Sequence, residues 1–464
     1  MTSTGATSRL AEFAARLTYD DLPQSLRDTL SGLLIDYFRV ASAGREAPWV
    51  EKYRRGLSLS SGQLQASILY SDEKVDVVRA AGINGVIAGS LEWDDTHVGA
   101  MLHAGVVVWP AALAIGEKTG ATGREILAAV VAGYETVIRT GLSVQPAHFR
   151  RGFQSTATCG AFGAAAASAK LLGLDAHGIR NALGIACSYA GGVTQFFLSG
   201  SEVKRIHAGK AASAWVESAL FAASGLTGPF DAIEGKQGFA NALAGTFNES
   251  AITSGLGTDW HMLRLQMKPH ALSARVLAAS EAAEQLVESG VNWRDIEKVV
   301  IGIPSVIQGR LTGNDPQDLQ QAQMSAPFAV AMSLVFAQNK KGPLVIGYKE
   351  CEQAVSDPEI RALSRQIICE IDPEIEALSN TEYVAARVTV TLRNGNQKTT
   401  LVPVPMGAPE RPMPADDLLA RFRAMSSGLI VPTALDAWMD GNARIDQKNW
   451  AHHVMSLRIR EARP

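Results

Sequence analysis

Cysteine is scarce in this chain of 464 residues: Cys159, Cys187, Cys351 and Cys369 stand far apart and form no CxxC pair. That spacing argues against a zinc cluster and fits reduced thiols in a cytosolic setting. Charge is thin as well, 19% of residues with a formal net charge of -3, so nothing points to nucleic acid or an anionic membrane as a partner. Glycine-rich nucleotide fingerprints, GxGxxG or a P-loop, are missing, and NAD or ATP is not implied. The longest apolar run, residues 104–116, is broken by Pro110 and falls short of the roughly 20 residues a membrane span needs. The opening MTSTGATSRLAEFAARL has no apolar core long enough for a signal peptide, which predicts a cytoplasmic, soluble protein. Internal repeats and low-complexity linkers are absent too. With 47% hydrophobic residues, the chain has ample material for a large core.

Acids and bases crowd into one segment, residues 91–105, LEWDDTHVGAMLHAG. It holds three carboxylates (Glu92, Asp94, Asp95), the Thr96 hydroxyl and two imidazoles (His97, His103). A neutral imidazole titrates near physiological pH, which suits it to moving a proton on carbon or oxygen. The competing reading is that some of these groups cap a helix end or bond one another as scaffold. A second segment, SGSEVKRIHAGK at 199–210, brings Lys204, Arg205, His207 and Lys210 close to glycines. A third, MKPH, sets Lys268 and His270 astride a proline. Together they offer acid, base and cation, the set that handles a polycarboxylic acid, although surface lysines also occur in plain solvated loops.

The first 265 residues read as helix after helix. Thr122 with Glu125 forms a capping box, and Ile126, Leu127, Val130, Val131, Tyr134, Val137 and Ile138 follow at helical spacing. In LLGLD, residues 171–175, Gly173 suits a left-handed helix end and Asp175 the next cap. The run 160–170, GAFGAAAASAK, predicts closely packed helices. Just ahead of it, Gln154, Ser155, Thr156 and Thr158 surround a helix start that either binds a carboxylate or is simply capped.

After about residue 290 the pattern changes. EKVVIGIP (297–304) reads as a strand, YVAARVTVTL (383–392) alternates with period two, RNGN supplies a turn and 398–404 returns as its hairpin partner. Residues 326–337 form an apolar helix, and helix resumes beyond Pro414. The expected fold is mainly α: a large all-helical domain, 1–267 and 406–464, and a smaller α+β domain, 268–405.

On six segments in order, the chain resembles the MmgE/PrpD family: LTYDDLPQSLRDTLSGLLIDYFRVASAG, LEWDDTH with its downstream His, AAVVAGYETVIRTG, RGFQSTATCGAFGAAAASAKLLGLD, VKRIHAGKAA and MKPH. The family includes 2-methylcitrate dehydratases, cis-aconitate decarboxylases and iminodisuccinate epimerases, one framework serving several reactions. The resemblance implies a homodimer, a C-terminal segment that packs back on the helical domain, and a cleft that takes a small polycarboxylate with neither cofactor nor metal. The family's DxDDT pattern falls on Glu92, Asp94, Asp95 and Thr96, its following histidine on His103, its KxxHxG pattern on Lys204, His207 and Gly209, and its KP lysine on Lys268. His103, oriented by Asp94 or Thr96, would exchange the proton. Lys204, Arg205 and Lys268 would hold carboxylates, with Glu92, Gln154, His207 and His270 as further substrate contacts. One departure stands out: the family's histidine after Gly-Phe is Gln154 here, and an amide cannot trade a proton near neutrality. A dehydratase-like lyase is the leading expectation. A decarboxylase, an epimerase and a catalytically silent binding homologue are the alternatives.

Overall fold

Caps and glycines set the helices that carry the candidate site. Asp76 starts α1 (Val77–Ala88), its carboxylate accepting from the N–H groups of Val78 and Arg79 at 3.1 Å. Next come α2 (Gly105–Thr119), α3 (Gly123–Val144), α4 (Gly160–Leu171) and α5 (Val203–Ala223). The capping box expected at Thr122 and Glu125 is present at the head of α3. Gly173 is left-handed at φ +76°, and Asp175 caps the helix after it through the N–H of Gly178 at 2.8 Å. Helix α3 is, among the described residues, the one long and apolar enough to cross a membrane, and 94% of its most apolar stretch is buried inside the protein.

The computed structural model describes residues 5–51, 63–196, 201–340, 342–426 and 429–458. Ser199 and Gly200 of the second charged segment lie outside them, as do the first four residues. The chain divides into two compact units. One comprises Met1–Ser90, Asp94–Leu265 and Phe422–Pro464, the other Leu91–Trp93 and Gln266–Arg421.

Glycine decides how close the helices of the first unit come. A Cβ on Gly85 of α1 would lie 2.8 Å from the Cα of Gly209 on α5, and one on Gly209 would overlap the Gly82 carbonyl oxygen and the Val86 side chain. Gly133 of α3 and Gly163 of α4 face each other in the same way, and a Cβ on either would lie within 2.9 Å of the other's carbonyl oxygen. Pro110 does not break the apolar run 104–116, contrary to the sequence expectation, because α2 continues through it. Proline removes the donor for the carbonyl one turn earlier, that of Val106, and this oxygen rests against Gly85. The unit is not purely helical either: β1 (Ala66–Ser67) and β2 (Lys74–Val75) form a minimal antiparallel pair. The C-terminal segment returns here, its His452 bonded to Glu117 at 3.0 Å and its Trp438 packed on Phe38 with ring centroids 4.9 Å apart.

The second unit is an α+β layer. Strand β3 (Ile296–Ile303) pairs parallel with β4 (Ile367–Ile371) and antiparallel with β5 (Ala386–Leu392), which pairs with β6 (Gln397–Val402). Ala386, Val388 and Val390 alternate inward as the sequence predicts and join a core with α6 (Leu277–Glu288) and α7 (Ala326–Ala337). Residues 406–421, expected with the helical part, are held here. Met406 N–H donates to Glu281 at 2.9 Å, Met267 N–H to the Gly407 carbonyl at 3.0 Å, and Arg421 to the Leu344 carbonyl at 2.7 Å.

Gly209, the last residue of the KxxHxG pattern, is thus a packing residue. Gly209→Ala should cost about 1–3 kcal/mol of stability through overpacking. Urea unfolding followed by circular dichroism checks this, and an unchanged midpoint would refute it.

Candidate active site

His103 sits where the 94–96 turn meets the start of α2. Its Nδ1 lies 3.1 Å from the Thr96 hydroxyl, 3.1 Å from the Asp95 carbonyl and 3.2 Å from an Asp94 carboxylate oxygen. The last two groups can only accept, so the ring proton belongs on Nδ1 and the basic lone pair on Nε2. Thr96 fits this arrangement by donating its own proton to the Asp94 carbonyl at 3.3 Å. The backbone N–H of His103 donates to Thr156 Oγ1 at 3.0 Å, which ties the ring's attachment point to the 155–158 helix.

His97 plays a different part. It is buried, its Nδ1 accepts the Ala100 N–H at 3.0 Å, and its backbone pairs with Leu102 across a turn in which Met101 takes φ +55°. Desolvation, with help from the His261 and Arg264 charges, pushes its pKa down to about 3. It is a neutral piece of turn scaffold at physiological pH.

Asp95 is sealed beneath the turn. Its carboxyl accepts the Tyr134 hydroxyl at 2.7 Å and the Gly105 N–H at 2.9 Å. Both bonds favour the anion, yet burial outweighs them and raises its pKa to about 7, with Asp36 and Asp94 adding repulsion.

Gln154, the departure from the family pattern, caps the short helix Ser155–Thr158: its Oε1 accepts the Ala157 N–H at 2.6 Å. Its own N–H donates to the Gly192 carbonyl at 3.0 Å, and a Cβ on Gly192 would lie 3.8 Å from His207 Cε1. His207 is one helical turn from Lys204 at the head of α5. Desolvation first, and the Lys204 charge second, lower its pKa to about 4. Its Nδ1 is buried with no hydrogen-bond partner among the described residues. Arg205 turns the other way: it is buried, with its guanidinium 5.3 Å from the Trp49 ring centroid. Lys210 is exposed.

The remaining candidates belong to the second unit. Lys268 is fully buried, and its ammonium donates to the Glu92 carbonyl and lies 3.6 Å from the Glu92 carboxylate. Trp93 returns the tie by donating its indole N–H to the Lys268 carbonyl at 2.9 Å. Glu92 adopts φ +57°, a strained backbone for a side chain of its size, and these bonds hold it there. His270 is buried, and its Nδ1 accepts the Ile346 N–H at 3.2 Å. So the structure gathers Asp94, Thr96, His103, Gln154, Lys204 and His207 in one unit and Glu92, Lys268 and His270 in the other. Among the described residues, no three His, Cys, Asp or Glu side chains converge as metal ligands. Sequence reasoning named Thr156 at a helix start and Tyr134 in the core without foreseeing their ties to the His103 turn, and it gave Trp93 no role. A buried tyrosine at helical spacing reads as core, and no local signal marks it otherwise.

Comparison with known proteins bears on this geometry. Residues 8–250 match the MmgE/PrpD N-terminal domain and residues 270–440 the MmgE/PrpD C-terminal domain. Similar proteins include a cis-aconitate decarboxylase of Aspergillus terreus, 26% identical over 447 residues (92% of this chain, 90% of that protein). The human cis-aconitate decarboxylase is 26% identical over 372 residues, 77% of this chain and 74% of its own. A cis-aconitate decarboxylase-like protein, oryM, of Aspergillus oryzae is 26% identical over 450 residues, 91% of each. The chain belongs to the MmgE/PrpD family.

Asp95 ties folding stability to pH. The unfolded chain loses this proton near pH 4 and the folded protein only near 7, so stability falls as pH rises between those values and levels off above. Asp95→Asn removes that loss. Its urea midpoint relative to the parent should therefore be higher at pH 8 than at pH 5, and a pH-independent difference would refute the assignment.

Proposed function

We propose, from membership in the MmgE/PrpD family and the geometry of His103, an enzyme that moves a proton at a carbon next to a carboxylate of a small di- or tricarboxylic acid without a redox cofactor. The observation that carries this reading is the set of three acceptors on His103 Nδ1, which leaves Nε2 as the nitrogen that takes or gives the proton. Lys204 supplies a cation to hold a carboxylate, and a desolvated charged hydrogen bond of this kind contributes about 1.5–3 kcal/mol, whereas the Lys268 ammonium is already engaged by Glu92. His207 is neutral at physiological pH and offers a polar contact rather than a charge.

Among the family's reactions, the names of the relatives favour decarboxylation of an acid resembling cis-aconitate. In that reaction the carbon–carboxylate bond breaks, carbon dioxide leaves, and its electron pair passes into the unsaturated acid. His103, which has first taken a proton from solvent onto Nε2 while Nδ1 keeps its own, then delivers that Nε2 proton to carbon and returns to its lone-pair form. Dehydration, which the resemblance put first, needs the reverse opening move: Nε2 takes the proton and hydroxide leaves. Gln154 favours a second reading, an epimerase-like exchange, because its amide is engaged as a cap and brings no titrating group. We also propose a cytoplasmic homodimer, for which sedimentation of the purified protein at twice the chain mass is the check.

His103→Ala should lower kcat about a hundredfold or more with circular dichroism unchanged. Near-parental turnover would sink the assignment. Proton NMR in deuterium oxide with cis-aconitate, 2-methylcitrate and iminodisuccinate separates the reactions. Released carbon dioxide marks a decarboxylase, new vinyl protons a dehydratase, and solvent exchange without net conversion an epimerase. A silent homologue would do none of these. Gln154→His should raise decarboxylation or dehydration if the missing imidazole limits it, and brisk parental turnover that this substitution leaves unaffected would show that it does not.

A further inference from the structure

Tyr134 lies on α3, in a segment that shares the family resemblance but to which the resemblance assigns no site role. It is nonetheless one bond from the turn that grips His103. Its hydroxyl donates to Asp95 Oδ2 at 2.7 Å, and the other carboxyl oxygen of Asp95 accepts the Gly105 N–H at 2.9 Å. Two helices are thereby fastened to one side chain: α3 through Tyr134 and the first residue of α2 through Gly105. The Asp95 main-chain carbonyl is in turn one of the three acceptors on His103 Nδ1. Gly105 permits this convergence, because a Cβ there would lie 2.5 Å from the Tyr134 hydroxyl oxygen and 2.8–2.9 Å from both carboxyl oxygens of Asp95.

We propose that Tyr134, acting through Asp95, is a positioning residue for His103: it fixes the 94–96 turn so that the ring proton stays on Nδ1 and the lone pair on Nε2. If Asp95 loses the Tyr134 bond, its buried carboxyl must find another donor, and the carbonyl on the same residue moves with it. His103 Nδ1 then exchanges a fixed acceptor for a movable one, and the tautomer with the proton on Nε2 becomes accessible. That tautomer has no lone pair at Nε2 with which to take up a proton, whether from substrate or, ahead of delivering one to carbon, from solvent. The charged and titratable groups facing Asp95 are Asp36, Asp94, Tyr134 and, at its carbonyl, His103. Burial holds the Asp95 proton to about pH 7, which spares the ring a second adjacent carboxylate charge below that pH.

The proposal rests on His103 as the proton-transfer group only for its kinetic arm, because its spectroscopic arm needs no activity. In protein labelled with 15N-histidine, at a pH where imidazoles are neutral, long-range 1H–15N spectra report the tautomer of each ring. The resonance missing from His103→Gln identifies His103. The parent should show the Nδ1–H form alone. Tyr134→Phe should mix in the Nε2–H form and lower kcat on cis-aconitate about tenfold, with KM within about twofold. Gly105→Ala, which drives Tyr134 and Asp95 apart while leaving both in place, should act in the same direction. Tyr37→Phe is the control: it removes a buried hydroxyl that has no hydrogen-bond partner among the described residues, and neither readout should move. Folded Tyr134→Phe and Gly105→Ala proteins that keep a pure Nδ1–H signal overturn the proposal, even if turnover drops. A shifted tautomer with unchanged kcat overturns its catalytic meaning while His103→Ala remains inactive. If instead His103→Ala stays active, the proposed function fails and the tautomer result still judges the positioning.

Discussion

Close approach of helices through paired glycines is the constraint on which the helical unit depends. Gly85 against Gly209 brings α1 and α5 together, and Gly133 against Gly163 does the same for α3 and α4. Each pair removes two Cβ atoms from an interface where backbone meets backbone, so the helices lose freedom to slide as well as to separate. The consequences reach the chemistry directly. Helix α5 begins with Lys204 and His207, α3 supplies Tyr134, and α2, whose Val106 carbonyl lies on Gly85, begins at Gly105 beneath Asp95. Side chains that act together hang from helices whose spacing is set by residues with no side chain.

The buried carboxylates Glu117 and Glu135 of this unit are each met by several polar partners, which explains how such acids can be buried in a core of low charge. Glu135 and Arg139 pair at 2.9 Å within α3, and Arg139 also binds the carbonyls of Ile252 and Ser254, closing a loop onto the helix. Glu117 accepts from both the backbone and the hydroxyl of Ser67 and also pairs with His452. In both cases a buried charge carries distant chain segments. Asp95 differs, because neither of its two donors is charged and the cost of burial shows in its raised pKa. A carboxyl kept neutral to about pH 7 beside the Asp94 carboxylate leaves the imidazole facing a single negative side chain below that pH.

Much of this was legible in the sequence, for reasons that can be named residue by residue. The Thr122–Glu125 box, the Gly173 stop, the Asp175 cap and the alternation of 386–390 are local rules, and they act locally in the fold. Strand β4 was missed because IICEI is short and mostly exposed, and its parallel pairing with β3 joins residues some 70 positions apart in sequence. Pro110 misled because a proline-freed carbonyl is tolerable where a glycine on another helix accepts its approach, and that partner is invisible to local reading. The acid-rich segment announced itself by composition, but its division of labour did not. His97 and His103 are equivalent as letters, and only the turn at Met101 makes the first a scaffold and leaves the second against three acceptors. The split within LEWDDTH was equally hidden: Leu91–Trp93 are held by the second unit, through Gln323 and Lys268, while Asp94 onward belongs to the helical one.

Gln154 shows how a lost imidazole can leave a fold undisturbed. Its amide oxygen meets the need that any residue at the head of the 155–158 helix must meet, an acceptor for an orphan N–H. The neighbouring Thr156 hydroxyl, two residues on from that cap, is the group that holds the His103 backbone. A residue here can therefore be replaced without loss of the helix start or of the His103 anchor, provided it still accepts a hydrogen bond. Proton chemistry and helix capping are separable duties at this position. With only the second retained, the burden of moving a proton in the helical unit rests on His103, since His97 and His207 are both held neutral by burial.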